Sequence, residues 1–100
     1  MRRLVFTPEA FDDLQRARDW YENRRAGLGT QFLVAIETAL EQVSRAPDGY
    51  RLLEGRFRRA VVRRFPYHLY FTHDDQQITV LLVFHTAQDP AKVLGRLPSH

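Results

Sequence analysis

The sequence contains no cysteine, which excludes both a disulfide framework and a cysteine-based zinc or redox site. No stretch approaches the ~18 consecutive apolar residues that a bilayer span requires, and residues 1–20 lack the apolar core of a signal peptide. Lysine is nearly missing, because 14 of the 15 basic residues are arginine. The missing signal-peptide core and membrane span favour a cytoplasmic protein, and we expect no cofactor and no metal site.

What is present is typical of one globular domain spanning residues 1–100, with 44% hydrophobic and 27% charged residues. The net charge of +3 is unevenly placed, since residues 1–50 carry −1 and residues 51–100 carry +4. Arginine offers a rigid fork of donors that suits phosphate and carboxylate. The second half of the chain is therefore the candidate anion-binding half, although most surface arginines of any protein simply face water.

Three segments of the second half have the composition of β-strands, being rich in Val, Ile, Phe, Tyr and Thr. They are Phe57–Phe65, Tyr67–Thr72 and Gln77–His85. Connections as short as Pro66 and His73–Gln76 predict antiparallel neighbours, because a parallel return needs a long crossover. Apolar residues occupy both faces of Gln77–His85, which predicts an interior strand covered on both sides.

The first half predicts a short strand and two helices. Arg3–Thr7 is expected to join the sheet, and Thr7-Pro8-Glu9 predicts a helix start with Thr7 as N-cap. That helix should end before Gly27, and a second amphipathic helix should run from Leu28 or Thr30 to Arg45. A turn this short predicts an antiparallel helical hairpin.

The remaining segments have weaker patterns. Ala46–Gly55 is expected to be a loop, and Asp89-Pro90 predicts one helical turn through Lys92 and Leu94, closed by Gly95 and Pro98. The predicted fold is α+β with the order β-α-α-β-β-β, in which the helical hairpin packs on a small, mainly antiparallel four-stranded sheet.

The strand Phe57–Phe65 carries four arginines among its apolar residues, and Arg56 precedes it. Because a strand cannot bury four guanidinium groups, at least one of its faces or ends must meet water or an anion. The predicted anion surface comprises Arg56, Arg58, Arg59, Arg63 and Arg64.

The order and spacing of motifs over about ninety residues resemble the RelE/ParE toxin superfamily, also called plasmid-stabilisation proteins. The ParE-like branch is favoured by the Arg-Phe-Pro-Tyr run and by the strand that ends in His before Asp-Pro. The matching residues are Thr7-Pro8-Glu9-Ala10, Asp13-Leu14, Tyr21, Gly27-Leu28-Gly29, Phe32, Ile36-Glu37, Ala39-Leu40, Pro47, Arg58-Arg59, Arg64-Phe65-Pro66-Tyr67, Tyr70, Ile78-Thr79-Val80, Val83-Phe84-His85 and Asp89-Pro90.

The resemblance implies the toxin of a type II toxin–antitoxin pair, neutralised by a cognate antitoxin whose tail folds onto the hairpin and sheet edge. RelE-like members cut messenger RNA in the ribosome, whereas ParE-like members inhibit DNA gyrase by binding it. Fold does not choose between these activities, so the site residues must.

The resemblance to the ribonuclease branch is incomplete in three respects. His68 stands where those relatives place an arginine, Gln88 stands where many members carry another, and no tyrosine follows Tyr70. If the chain were nonetheless a nuclease, His68 and His85 beside Arg59 and Arg63 would be the catalytic candidates. The alternative is that His85 hydrogen-bonds the backbone near the Asp-Pro turn and that His68 is a solvated outer-face residue.

The leading hypothesis is a binding inhibitor, most simply of gyrase. Its expected target-binding residues are Arg56, Arg58, Arg59, Arg63, Arg64 and Lys92. The competing hypotheses are a metal-independent endoribonuclease and a basic binding module without toxicity.

Overall fold

Five strands, three α-helices and one short 3-10 helix follow one another in residues 2–98, the part of the chain that the computed structural model describes. The predicted order β-α-α-β-β-β is confirmed with one strand added. The elements are β1 (Arg3–Phe6), α1 (Pro8–Arg24), α2 (Leu28–Arg45), the 3-10 helix (Pro47–Gly49), β2 (Arg51–Leu53), β3 (Phe57–Val61), β4 (Tyr67–His73), β5 (Gln77–His85) and α3 (Ala91–Arg96).

The strands form one sheet in the order β1-β5-β4-β3-β2. β1 runs parallel to β5, and the other three pairs are antiparallel, so the mainly antiparallel sheet of the prediction is confirmed. β5 lies between β1 and β4, which is the interior position that its two apolar faces predict. Among residues 2–98, no helix is both long enough and apolar enough to cross a lipid bilayer.

The sheet has five strands rather than the predicted four, because β2 lies inside the segment expected to be a loop. β2 pairs with β3 through a tight connection in which Glu54 and Gly55 have φ angles of 52° and 69°. Two successive residues with positive φ are the geometry of the hairpin turn whose twist matches that of the strands. Three residues are too few to give a periodic signal, whereas the turn glycine was visible in the sequence.

β3 is shorter than predicted, since it ends at Val61 instead of Phe65. Arg64 has a φ of 75°, and a residue in the left-handed region cannot continue a strand. The backbone N–H of Val62 donates to the Tyr67 carbonyl at 3.0 Å, so the chain turns tightly back into β4. Arg63 and Arg64 therefore lie on the turn after β3.

The two long helices begin and meet as the sequence predicts. The Thr7 hydroxyl accepts a hydrogen bond from the Ala10 N–H at 3.1 Å, which confirms the N-cap of α1. At the hairpin corner the Glu22 carboxylate accepts from the N–H groups of Gly27 and Gly29, each at 2.9 Å. A Cβ on Gly29 would lie 2.8 Å from the Arg18 carbonyl, so the helices approach closely only because this residue is glycine.

Each face of the sheet has its own apolar cluster. The helix-covered face packs against α1 and α2, and its aromatic centre includes Tyr21, Phe32 and Phe71. On the opposite face, called here the outer face, Val93 and Leu97 pack with Tyr70 and Phe84. α3 is the helical turn predicted at Asp89-Pro90, and it continues through Gly95 to Arg96.

Candidate functional site

The register of the sheet decides which basic side chains share a face. Arg51 lies opposite Arg59, Arg59 lies opposite Tyr70, and Val61 lies opposite His68. Directly opposed residues of antiparallel strands project from the same face, and alternate residues of one strand do so too. Arg51, Arg59 and His68 therefore all project from the outer face, beside the part that α3 covers.

Arg51 and Arg59 form a cross-strand pair of like charges. Like charges at directly opposed positions destabilise a sheet. Within residues 2–98, neither guanidinium has a carboxylate within ion-pair distance. An anion bound between them would relieve this repulsion. Arg51 was absent from the predicted site because it falls in the segment expected to be a loop, and recognising the Glu54-Gly55 hairpin turn would have placed it.

His68 is half-buried beside this pair. Burial lowers its pKa, and the positive charge of Arg59 lowers it further. Both causes act in the same direction, since each disfavours the imidazolium ion. At neutral pH the His68 side chain is therefore a neutral imidazole next to a guanidinium group.

His68 and His85, the two histidine candidates for a nuclease, cannot act together on one substrate, because their side chains project from opposite faces of the sheet. Tyr67 lies opposite His85, and His68 lies opposite Phe84, so consecutive residues place the histidines on different sides. The Nδ1 atom of His85 accepts from the Ala87 N–H at 3.0 Å, which confirms the alternative of a backbone hydrogen bond near the Asp-Pro turn.

Arg58 projects from the helix-covered face and is engaged within the chain. Its guanidinium donates to the Tyr50 carbonyl at 2.8 Å and lies 3.7 Å from a carboxylate oxygen of Asp48. His73 Nε2 lies 3.1 Å from that same Asp48 oxygen. These contacts bind the segment that precedes β2 to the sheet. Arg58 therefore has a structural role that the sequence did not suggest.

Arg63 and Arg64 line a groove beside α2, with a volume of about 350 Å³. The α2 wall is uncharged, and Val34 and Val61 are 54% and 61% exposed. The groove is lined by Gln31, Val34, Ala35, Thr38, Ala39, Gln42, Val61, Arg63, Arg64 and Phe65.

The edge of β3 is open along this groove. β2 pairs only with Phe57–Arg59, whereas the Val62 N–H bonds to β4, so the backbone groups of Val61 point away from β4. No strand of residues 2–98 pairs with Val61 on that side, since β2 reaches only as far as Arg59. We call this surface the α2 groove, and it combines an apolar wall, a free strand edge and two cations.

The remaining predicted target-binding residues lie elsewhere on the surface. Arg56 is exposed at the β2–β3 turn, with its guanidinium 5.0 Å from the Phe57 ring centroid, and Lys92 is exposed on α3. The five arginines expected to form one cluster are thus divided among the outer face, the α2 groove and the internal contacts of Arg58. Within the described residues, no group of three His, Asp or Glu side chains is arranged to hold a metal ion.

Comparisons with known proteins agree with the fold. A chain of the chromosomal ParDE toxin–antitoxin system from P. aeruginosa superposes with a TM-score of 0.63 and 23% identity, over 85% of this chain and 96% of the other. Among curated proteins no sequence relative is found. The family model described as the ParE toxin of the type II toxin–antitoxin system parDE matches residues 4–90. The chain therefore belongs to the ParE toxin family.

Proposed function

We propose that this ParE-family protein is a binding inhibitor of DNA gyrase that a cognate antitoxin neutralises in the cytoplasm. The observation that carries the proposal is the pair Arg51 and Arg59, two opposed guanidiniums on an open face with no carboxylate partner within residues 2–98. Buried or interfacial arginine is a common anchor of protein–protein interfaces.

The proposed target-binding surface is the outer face and its rim. Arg51 and Arg59 form its centre, and Arg56 and Lys92 extend the positive charge along the rim. Arg58 is left out, since its donors are occupied by Tyr50 and Asp48. An acidic patch on the target would meet several guanidiniums at once, and such contacts give both orientation and a fast, salt-dependent association rate.

Supercoiling assays with purified gyrase test this proposal. We expect inhibition by the wild type and a loss of about tenfold or more when Arg51 and Arg59 are both replaced by Ala. Arg25→Ala is the matched control, since Arg25 is exposed at the end of α1 and away from the outer face. Full inhibition by the double variant, or no inhibition by the wild type, would overturn the proposal.

The α2 groove is the proposed antitoxin surface. An extended antitoxin segment would pair with the free Val61 backbone, place apolar side chains against Val34, and set acidic side chains near Arg63 and Arg64. Disordered segments that fold on binding commonly use this combination of edge pairing and alternate side-chain contacts.

Co-purification with the antitoxin expected from the neighbouring reading frame tests the groove. We expect Val34→Asp combined with Arg63→Glu to weaken the complex at least tenfold, because both changes repel an acidic, apolar segment. Glu37→Arg is the control, because Glu37 is an exposed α2 residue that does not line the groove, and it should leave the affinity unchanged. Equal binding of both variants would place the antitoxin elsewhere.

A second candidate function is a ribosome-dependent endoribonuclease, favoured by one observation. The neutral imidazole of His68 beside the cationic Arg59 offers a base and a phosphate-binding group on one face. Induction followed by primer extension would then give codon-phased cuts that disappear in His68→Ala. Uncut messages together with arrested replication, retained in His68→Ala and His85→Ala, would support gyrase inhibition instead.

A further inference from the structure

A second concave surface lies where α1 crosses the uncovered part of β5. β1 pairs only with Gln77–Val80, so beyond Val80 the β1 side of β5 has no neighbouring strand. The Asp13 carboxylate occupies that side and accepts a hydrogen bond from the Val83 N–H at 3.1 Å. Its side chain is only 5% exposed, which makes this a buried negative charge in need of partners.

Two arginines neutralise Asp13 and line the open space above it. The Arg16 guanidinium donates to Oδ1 at 3.0 Å, and the Arg96 guanidinium donates to Oδ1 and Oδ2 at 2.9 and 3.1 Å. The carboxylate thereby accepts four contacts and has little capacity left. Each arginine still has unused N–H donors, and two positive charges face one negative charge.

The space beside these arginines is a solvent-open cavity of about 520 Å³. Asp13 is the only acidic residue among those that line it. The lining residues are Asp13, Arg16, Ala17, Trp20, Tyr67, Val83, His85, Gln88 and Arg96. The cavity therefore carries a net positive charge and has room for a ligand of several functional groups. We call it the Asp13 cavity.

The polar wall of the Asp13 cavity supplies further donors. Nδ1 of His85 accepts from the Ala87 N–H, so the proton of the neutral imidazole lies on Nε2, which is then a donor. The Tyr67 ring contacts His85 edge-on at 5.0 Å and limits its orientation. Burial, together with the neighbouring Tyr21 and Asp13, raises the pKa of Tyr67 to about 12, so no phenolate opposes an anion here.

An aromatic side chain forms the outer wall. Trp20 is 52% exposed, and the Arg24 guanidinium lies 4.2 Å from its ring centroid. Tyr21 contacts the same ring edge-on at 5.0 Å. The indole is therefore held by two neighbours while half of its surface stays open. Exposed aromatic rings beside cationic grooves are the usual stacking surfaces for nucleic-acid bases.

We propose that the Asp13 cavity binds a nucleoside monophosphate, with the phosphate held by Arg16, Arg96 and His85 and the base against Trp20. A phosphate monoester matches the donors, because guanidinium groups form charge-assisted, bidentate hydrogen bonds to phosphate. The base matches the exposed indole. The proposal is independent of the gyrase hypothesis, since the cavity lies on the opposite side of the sheet from Arg51 and Arg59.

Trp20 makes the test direct, because it is the only tryptophan of the sequence. Titration of the full chain with AMP and GMP, followed by intrinsic fluorescence, should give a saturable change. Adenosine, which lacks the phosphate, should bind at least tenfold more weakly, and inorganic phosphate should compete without producing the aromatic signal. Comparing 5′-AMP with 3′-AMP distinguishes a free nucleotide from the 3′ end of a cleaved strand.

Arg16→Ala is the informative variant, because Arg16 is 71% exposed and its loss leaves Arg96 and Val83 bound to Asp13. We expect its dissociation constant for AMP to rise about tenfold or more. Arg18→Ala is the matched control, since Arg18 is an exposed α1 arginine paired with Asp19 outside the cavity. No saturable signal at millimolar AMP, equal affinity for adenosine, equal affinity in Arg16→Ala, or binding of oligonucleotides alone would overturn the proposal.

Discussion

Two groups of arginines in this chain differ in what neutralises them. Arg16 and Arg96 share the buried Asp13 carboxylate, at distances of 3.0 and 2.9 Å. Arg51 and Arg59 face each other across β2 and β3, and within residues 2–98 neither has an acidic partner. The first group is tied to a buried carboxylate and keeps one net positive charge, whereas both guanidiniums of the second group are left to a partner.

The difference shows that local arginine density does not identify a binding surface. Arg58 and Arg59 are adjacent in the sequence, yet one donates to the Tyr50 carbonyl and the other projects from the outer face. Strand alternation separates them, because successive side chains point to opposite faces. Mutations at the arginines and at their acidic partner therefore test this comparison.

The largest effect is expected at Asp13. Asp13→Ala leaves the Val83 N–H without its partner and removes the counter-charge of Arg96. Removing one partner of a buried ion pair commonly costs about 3–5 kcal/mol, so we expect a loss of about 3 kcal/mol or more in urea unfolding. Asp12→Ala, an exposed neighbour, should change stability by less than about 0.5 kcal/mol. Equal stabilities would mean that Asp13 does not stabilise the fold.

A smaller loss is expected at Arg58. Its guanidinium donates to the Tyr50 carbonyl at 2.8 Å and is 20% exposed. Hydrogen bonds from charged donors contribute roughly 1.5–3 kcal/mol, so Arg58→Ala should lower the free energy of unfolding by about 2 kcal/mol. The supercoiling inhibition of the folded variant should stay unchanged. A stable Arg58→Ala that fails to inhibit would return Arg58 to the target-binding surface.

Replacing Arg59 is expected to change the free energy of unfolding in the opposite direction. Removing one of two opposed like charges relieves repulsion, so Arg59→Ala should leave stability unchanged or raise it by a few tenths of a kcal/mol. The double variant with Arg51→Ala should be no more stable than Arg59→Ala alone, because the repelling pair is already gone. The gain should shrink in 1 M salt, where exposed charges are screened. A clear destabilisation by Arg59→Ala would show an intrachain contact instead.

The smallest effect concerns the titration of His68. Burial and Arg59 lower its pKa, so the unfolded chain binds a proton more readily than the folded protein. The contribution of neutral His68 to stability is therefore complete above about pH 6.5, the pKa of an unperturbed histidine, and declines as the pH falls below that value.

Arg59→Gln should raise the His68 pKa, because it removes one of the two causes of the shift. NMR titration of the His68 ring protons measures the change. Arg58→Gln is the control, since Arg58 projects from the other face and should leave the His68 pKa in place. A shift of the same size in both variants would contradict the face assignment.

Features encoded in neighbouring residues were predictable from the sequence. The Thr7 cap, the two long helices and the interior position of β5 depend on local chemistry or on hydrophobic periodicity. The family resemblance is confirmed by the match over residues 4–90.

Features that depend on tertiary pairing were not predictable. β2 is three residues long and gains its structure from the edge of β3, and the turn at Arg64 requires a positive φ that no glycine signals. That His68 and His85 project from opposite faces became clear only from the register of β4 and β5. The structural role of Asp13 could not be predicted, because it depends on β1 ending before Val83, which leaves the Val83 N–H for the Asp13 carboxylate.

The shortness of β2 has a consequence for self-association. An unpaired strand edge is a template for pairing with another chain, including a second copy of the same protein. At the open Val61 edge, Arg63 and Arg64 follow directly, so two antiparallel copies meeting there would bring four guanidiniums together. Repulsion among these guanidiniums would disfavour pairing between two copies of this chain. A strand with acidic side chains would instead be attracted to the same edge, so charge alone would select between the two partners.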